Sequence, residues 1–361
     1  MINKLNKYSL TSIILLCCIA TYLMYFLFYP VVNEPGGRTF EIKKGSSIGT
    51  VVKELHKEKI ISHPLLANLF VHFLGSANNI KAGEYYFAEG TNVVGLLSQI
   101  HQGKGLVHHS FAIIPGWTFK DVRNAIAKTP KLEHTIDGLS DKELMQKISG
   151  TNKNFEGSFL PDTYNYATGV SDIVVLKNAY YAMQKELEKQ WDLRDKSTPY
   201  DKPEEAIIAA SLIEKEAYFD DERPVISGVI INRLQKNMLL QIDATVIFSL
   251  GDKYKGKLTR KNMSFDSPYN TYVYKGLPPG PIAMPSLKSI KAALHPKDTS
   301  YIFYVARNDG SHRFSETYVQ HKIAITASYN PYNDMHSFFN TELVKYYFLR
   351  LYVLHHPVAS P

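Results

Sequence analysis

Between Tyr8 and Val32 the chain carries no charged side chain, and no other feature limits its folding so strongly. A segment crossing the roughly 30 Å hydrocarbon core of a bilayer finds no water for its N–H and C=O groups, so a lone span must be a helix. The run is about 25 residues long, and about 20 suffice. Lys4 and Lys7 precede it, which favours a cytoplasmic N-terminus and sends the following residues across the membrane. No small-x-small cleavage site follows, so residues 8–32 are expected to be an uncleaved signal anchor, with residues 1–7 as a cytoplasmic tail. Leu16 is too large for the position before a lipidated Cys17. Cys17 and Cys18 are the only cysteines, and both lie inside the run, so no disulfide framework supports the globular part.

The remainder of the 361 residues leaves room for two domains, and 45% hydrophobic content supports a core. Net charge is +7, but the lysines and arginines are dispersed and no nucleic-acid motif occurs, which argues against DNA or RNA as a partner. A basic, tyrosine-rich surface suits an acidic or sugar-rich polymer. After a short Pro-Gly linker at 33–38, residues 39–105 read as a compact unit. A strand at Thr39–Ile42 and a Lys44–Gly45 turn lead to a helix capped by Ser46 or Ser47 and carrying Val51, Val52 and Leu55. A second helix from Pro64 to Leu74 follows, then a strand within Ile80–Phe87 and a helix capped by Thr91. This βααβα order is that of a small binding or spacer module.

Further on, Leu106–Ile114 reads as a strand. Thr118 with Asp121, and Ser140 with Glu143, have capping-box spacing. Asp172–Trp191 is the clearest amphipathic helix. The run Ala206–Ile213 is apolar apart from Ser211 and reads as a helix buried on nearly every side. It ends in Glu214 and Glu216, where desolvation can raise a carboxyl pKa enough to keep a proton near neutral pH. The two point about 200° apart, so only one can face a given cleft, and spacing does not choose between them. Gln241 to Thr245 forms a polar segment after a second helical pattern. The stretch GLPPGPIAMP, residues 276–285, is too rich in proline for a helix interior or a central strand and is expected to be a stiff loop. A short helix at Ser286–Leu294, a strand at Tyr301–Ala306 and a returning Gly310–Phe314 complete an α+β pattern. The aromatic-rich residues 330–361 fit no evident role.

Four segments in this order resemble the endolytic murein transglycosylases, the YceG-like family: EGSFLPDTY at 156–164, ASLIEKE at 210–216, INRL at 231–234 with QIDATV at 241–246, and YNTY at 269–272 with GLPPG at 276–280. The resemblance runs from the anchor to about Tyr329. It implies a single bacterial inner-membrane helix, a LysM-like module at 39–105 and a periplasmic catalytic domain at 106–329. The implied reaction cuts peptidoglycan glycan strands internally, between N-acetylmuramic acid and N-acetylglucosamine, and leaves 1,6-anhydro ends. Glu216 matches the family's catalytic acid. Gln241, Asp243, Thr245, Tyr269, Asn270 and Tyr272 are the expected sugar-positioning groups. The resemblance implies no cofactor or metal, and it implies association with peptidoglycan synthases.

Other polar residues have plainer expectations. Asp162 reads as a cap or turn residue, Glu222 and Arg223 as a structural ion pair, and Asn232 and Arg233 as helix residues able to support a site. The pairs His108–His109 and His355–His356 lack ligand spacing for a metal; His312 and His321 are expected to be structural. Two rival functions remain at this level. One is a non-catalytic peptidoglycan-binding scaffold. The other is a muramidase that uses water and would require a second carboxylate, with Asp243 the obvious one.

Overall fold

The computed structural model describes residues 2–73, 80–151 and 155–328. The sequence-defined tail at 330–361 lies outside the described residues, as does Leu74. Helix α1 (Ile2–Phe28) opens the chain, and its Leu10–Phe28 section is long and apolar enough to cross a membrane. The chain then divides into two compact units, residues 1–112 with 125–139 and 163–176, and residues 113–124 with 140–162 and 177–361. The fold is mixed α and β, with its strands in two-stranded sheets.

In the first unit, β1 (Arg38–Ile42), α2 (Ile48–Lys57), α3 (Pro64–Phe73), β2 (Gly83–Phe87) and α4 (Val93–Gln102) follow the expected βααβα order. β1 and β2 pair antiparallel with Phe40 opposite Tyr85. Period-two alternation puts Phe40, Ile42, Tyr85 and Phe87 on one face, where they pack on Val51, Val52, Leu55, Leu96, Leu97 and Ile100. Ser47 caps α2, accepting from the Thr50 N–H. At α4 the cap is Asn92, not Thr91 as expected. The Thr91 hydroxyl is engaged with the Ala88 carbonyl at 2.6 Å, while Asn92 Oδ1 accepts the Gly95 N–H at 2.8 Å. β3 (His108–Ala112) also belongs to this unit.

The chain continues through α5 (Phe119–Ile126), β4 (Leu132–Glu133), α6 (Asp141–Ser149), β5 (Thr163–Ala167), β6 (Val170–Ser171) and α7 (Asp172–Asp192). β3 pairs antiparallel with β5, and β4 parallel with β6. Both expected capping boxes are formed: Thr118 and Asp121 exchange hydrogen bonds before α5, and Ser140 and Glu143 do so at α6.

The second unit is built around α8 (Pro203–Glu216), whose residues 206–213 are all buried. Alanines at 206, 209 and 210 let other helices approach closely. α9 (Arg223–Gln235) and α12 (Leu287–Leu294) pack directly on it, adding Ile226, Ile230, Ile290 and Leu294 to the core. Ser211, the polar exception in the buried run, donates to the Ile208 carbonyl at 2.7 Å and accepts the Ile282 N–H at 3.1 Å, so it ties the proline-rich loop to α8. α9 has a glycine where that loop's successor crosses it: a Cβ on Gly228 would lie 2.5 Å from the Lys297 carbonyl oxygen. Between α9 and α12 lie α10 (Asp243–Leu250) and α11 (Arg260–Met263). Beyond α12, β7 (Phe303–Ala306) and β8 (His312–Ser315) form an antiparallel hairpin, and α13 (Tyr318–Ser328) follows.

Candidate active site

Two carboxylates end α8, and their surroundings separate them. Glu214 accepts the Ser286 N–H at 2.8 Å, the Ser286 hydroxyl at 2.5 Å and the Ser289 hydroxyl at 2.7 Å. Its other oxygen is 3.2 Å from Arg223 Nη1. With 5% of its side chain exposed, Glu214 anchors the first turn of α12, and both of its oxygens have protein partners. Glu216, two residues later, projects from a different side of the helix. Burial pushes its carboxyl above the ordinary carboxylate range. The Tyr304 hydroxyl, donating to it, opposes that rise; the charge of Asp243 adds to it, and His312 opposes it.

The expected ion pair of neighbours Glu222 and Arg223 is not what forms. Successive helical residues point about 100° apart. Arg223 turns to Glu214, Asp220 and Ser289, while Glu222 accepts from the His312 backbone N–H at 2.7 Å and meets His312 Nδ1 at 2.8 Å. His312 in turn lies edge-on to Tyr304, with ring centroids 5.2 Å apart. The β7–β8 register makes this possible, because Ala306 opposes His312 and Tyr304 opposes Phe314.

The six polar residues expected beside the acid take four different placements. Asp243 and Tyr272 come together near Glu216: the Tyr272 hydroxyl donates to Asp243 Oδ1 at 2.5 Å, and both residues bear electrostatically on Glu216. Asp243 is the first residue of α10, where the helix dipole favours a negative charge. Thr245 and Asn270 are fully buried and bonded into the frame. Thr245 Oγ1 donates to the Ile242 carbonyl at 2.6 Å and accepts the Thr271 N–H at 3.2 Å. Asn270 donates to the Met263 and Phe265 carbonyls and accepts the Tyr272 N–H at 2.9 Å. These bonds lace segment 241–245 to segment 269–272, with the Gln241 N–H on the Thr271 carbonyl at 3.0 Å. Gln241 adopts a left-handed backbone, φ 52°, with its side chain exposed. Tyr269 lies elsewhere, against Phe248 and in a separate cavity.

Arg233 and Asn232 support this arrangement from α9. Arg233 donates to the carbonyls of Ile302 at 2.6 Å and Leu240 at 2.7 Å, fixing both the approach to β7 and the segment before Gln241. Asn232 donates to the Thr299 and Tyr301 carbonyls. Sequence reasoning did not single out Tyr304. Its signal was present only as one aromatic in a strand, and strand pairing and register decide what such a residue faces.

The cavity that Tyr269 lines has a volume of ≈ 290 Å³ and is bounded by Glu156, Gly157, Met183, Ile207 and the Pro279–Pro281 turn, among others. In the sequence, Glu156 stands out only as the first residue of the EGSFLPDTY segment. Both its oxygens accept the Phe119 N–H, at 3.0 and 3.2 Å, at the start of α5. Burial outweighs that bond and pushes its carboxyl up to about 7. The folded protein therefore holds this proton more tightly than the unfolded chain, and stability is lost as pH rises from about 4.5 through 7, by about 3 kcal/mol in all. Glu156→Gln should remove that dependence. Urea midpoints of the two proteins are expected to agree near pH 4.5 and to diverge in favour of the variant by pH 8.

Residues 40–327 match the sequence model of the YceG-like family. The chain is 30% identical over 306 residues to the endolytic murein transglycosylase of Bacillus subtilis (strain 168), covering 78% of this chain and 82% of that one. It is 24% identical over 308 residues to the endolytic murein transglycosylase of Streptococcus pneumoniae serotype 2 (strain D39), covering 74% of this chain and about half, 54%, of that longer protein. Among solved structures, a yceG-like protein from Listeria monocytogenes aligns with a TM-score of 0.50 and 28% identity, over 80% of this chain and 98% of that one.

Proposed function

Since the chain belongs to the YceG-like family, we propose that it is an endolytic murein transglycosylase in which Glu216 is the sole general acid and base. The observation that carries this reading is the contrast at the end of α8. Glu214 is fully engaged in structure, whereas Glu216 has a desolvated carboxyl that keeps its proton above the usual carboxylate range. Such a group can protonate the glycosidic oxygen between N-acetylmuramic acid and N-acetylglucosamine.

Protonation breaks the C1–O bond and leaves oxocarbenium-like charge on the muramic acid ring. Glu216, now a carboxylate, accepts the proton of that sugar's own C6 hydroxyl as O6 bonds to C1, which closes the 1,6-anhydro ring. The internal nucleophile removes the need to position water. Tyr304 donates to the carboxylate form of Glu216 and so stabilises it between the two proton transfers. Asp243, held by Tyr272, places negative charge near the developing cation. Gln241 is proposed to meet sugar at the exposed edge, and Tyr269 at its own cavity. Thr245 and Asn270 are proposed to act on sugar through the segments they fix.

The first unit's residues 39–105 are proposed to be LysM-like and to bind glycan, with residues 106–329 as the catalytic domain. α1 is proposed as a single-pass inner-membrane anchor that leaves both in the periplasm, within reach of peptidoglycan synthases.

A water-using muramidase is the second reading, favoured by the proximity of Asp243 to Glu216. Purified glycan strands digested by the full-length protein, with products read by mass spectrometry, separate the two. Anhydro-muramyl ends that persist in Asp243→Asn, at reduced rate, support the transglycosylase. Reducing ends, one water heavier and lost in Asp243→Asn, would replace it. Because the acid step needs protonated Glu216, the rate is expected to fall as pH rises through that group's raised pKa.

A further inference from the structure

Helix α3 carries a stripe of apolar side chains that stays exposed among the described residues of its own unit. Ala67 and Val71 face the interior of the unit, with Leu66 and Phe70 packed at its edge. On the opposite side, Leu65, Leu69 and Phe73 are 78%, 66% and 88% exposed. Residues four apart lie on one helix face, so the three form a continuous line. The helix contains no Asp, Glu, Lys or Arg. A solvent-facing helix of a water-soluble domain puts polar residues there, and a contiguous apolar surface of this kind marks a contact.

The contact is identified by where α3 begins. His63, immediately before Pro64, meets the hydroxyl of Tyr22 through Nε2 at 2.7 Å. Its ring also packs edge-on against Tyr22 and Phe26, each at 5.9 Å between centroids. Tyr22 and Phe26 belong to the apolar section of α1. Tyr22, Tyr25 and Tyr29, all largely exposed, cluster at its C-terminal end, and tyrosines so placed mark the membrane–water boundary of a spanning helix. The attachment is stiff as well. Phe26 and Val32 are buried in the core of the unit, and the N–H groups of Val31 and Val32 both donate to the Thr91 carbonyl. The first turn of α3 is thereby held at the depth of the tyrosine belt.

We infer that α3 is an interfacial helix whose Leu65, Leu69 and Phe73 insert into the headgroup–acyl boundary of the same bilayer that α1 spans. The inference rests on α1 being a membrane anchor. Its consequence is that the first unit lies fixed on the membrane surface, held by a helix across the bilayer and a second one in its boundary layer.

The test uses the full-length chain in phosphatidylcholine–phosphatidylglycerol vesicles, with nitroxide labels on single cysteines. In a Cys17→Ser, Cys18→Ser background the label goes at Leu65→Cys, Leu69→Cys, Phe73→Cys or, as an aqueous reference, Lys185→Cys. A chain with only Cys18→Ser leaves native Cys17 to report the span. Collision with oxygen, enriched in lipid, is compared with collision with a water-soluble nickel chelate. Oxygen is expected to dominate at all three α3 positions, at shallower depth than at Cys17, and nickel to dominate at Lys185→Cys. Adding Leu69→Glu and Phe73→Glu, both at exposed positions that the fold tolerates, should return the label at Leu65→Cys to water. Nickel-accessible α3 labels with a lipid-buried Cys17 would overturn the inference and leave the anchor standing. A water-exposed Cys17 would overturn both. Labels shielded from both reagents would replace lipid by a second copy of the chain or another protein.

Discussion

Glu216→Gln is expected to abolish production of 1,6-anhydro ends while making the protein more stable. Glutamine keeps the shape of the side chain and can still accept from Tyr304, but it cannot deliver a proton. Loss of a general acid lowers the rate by about 10²–10⁴-fold. The stability gain follows from the same burial. The folded-state pKa of Glu216 is raised above its ordinary value, so the stability associated with its proton is present at low pH and is lost as pH rises through the folded value. Glutamine is never ionised, and the variant escapes that loss. Urea unfolding midpoints are expected to match near pH 4 and to favour the variant at pH 8. An inactive variant with no stability gain would mean that Glu216 is not held desolvated, and the assignment would lose its physical basis.

Glu214→Ala should have the opposite character. It strips the Ser286 N–H, the Ser286 and Ser289 hydroxyls and Arg223 of an acceptor at the buried junction of α8, α9 and α12. Breaking a buried pair on one side costs about 3–5 kcal/mol, because the remaining charge and donors stay desolvated. Asp220 retains Arg223 as a partner, which places the effect toward the lower end. Denaturant midpoints measure the loss directly. At low temperature the fraction that remains folded should still release anhydro ends, which Glu216→Gln would not do when fully folded. The two substitutions, two residues apart, thus divide chemistry from architecture.

Much of the architecture was legible because it depends on local pattern. The uncharged run is helical as far as Phe28, within α1, and its last residues Val31 and Val32 pack into the first unit instead. The apolar run at 206–213 became the central helix of the second unit, and the capping boxes at Thr118 and Ser140 formed as their spacing required. Segment 241–245 shows where local reading stopped. Its composition marks a polar stretch, yet the structure begins α10 at Asp243, with Ile242 and Thr245 held by Thr271 from further along the chain. The cap at α4 moved from Thr91 to Asn92 because a hydroxyl with a nearer carbonyl partner is not available to the helix.

By itself, the order of residues determined the apolar helix α1, the amphipathic helix α7, the buried helix α8, and that two carboxylates end α8. Those properties follow from side-chain periodicity and from the hydrogen bonds of neighbours in the chain. Tertiary structure alone decided that Glu214 meets Ser286, Ser289 and Arg223 while Glu216 meets Tyr304, and that Glu222 turns to His312 rather than to its neighbour Arg223. A carboxyl takes its pKa and its role from desolvation and from the groups that point at it. Here those groups come from α9, α10, α12 and the β7–β8 hairpin, which only folding brings to the end of α8.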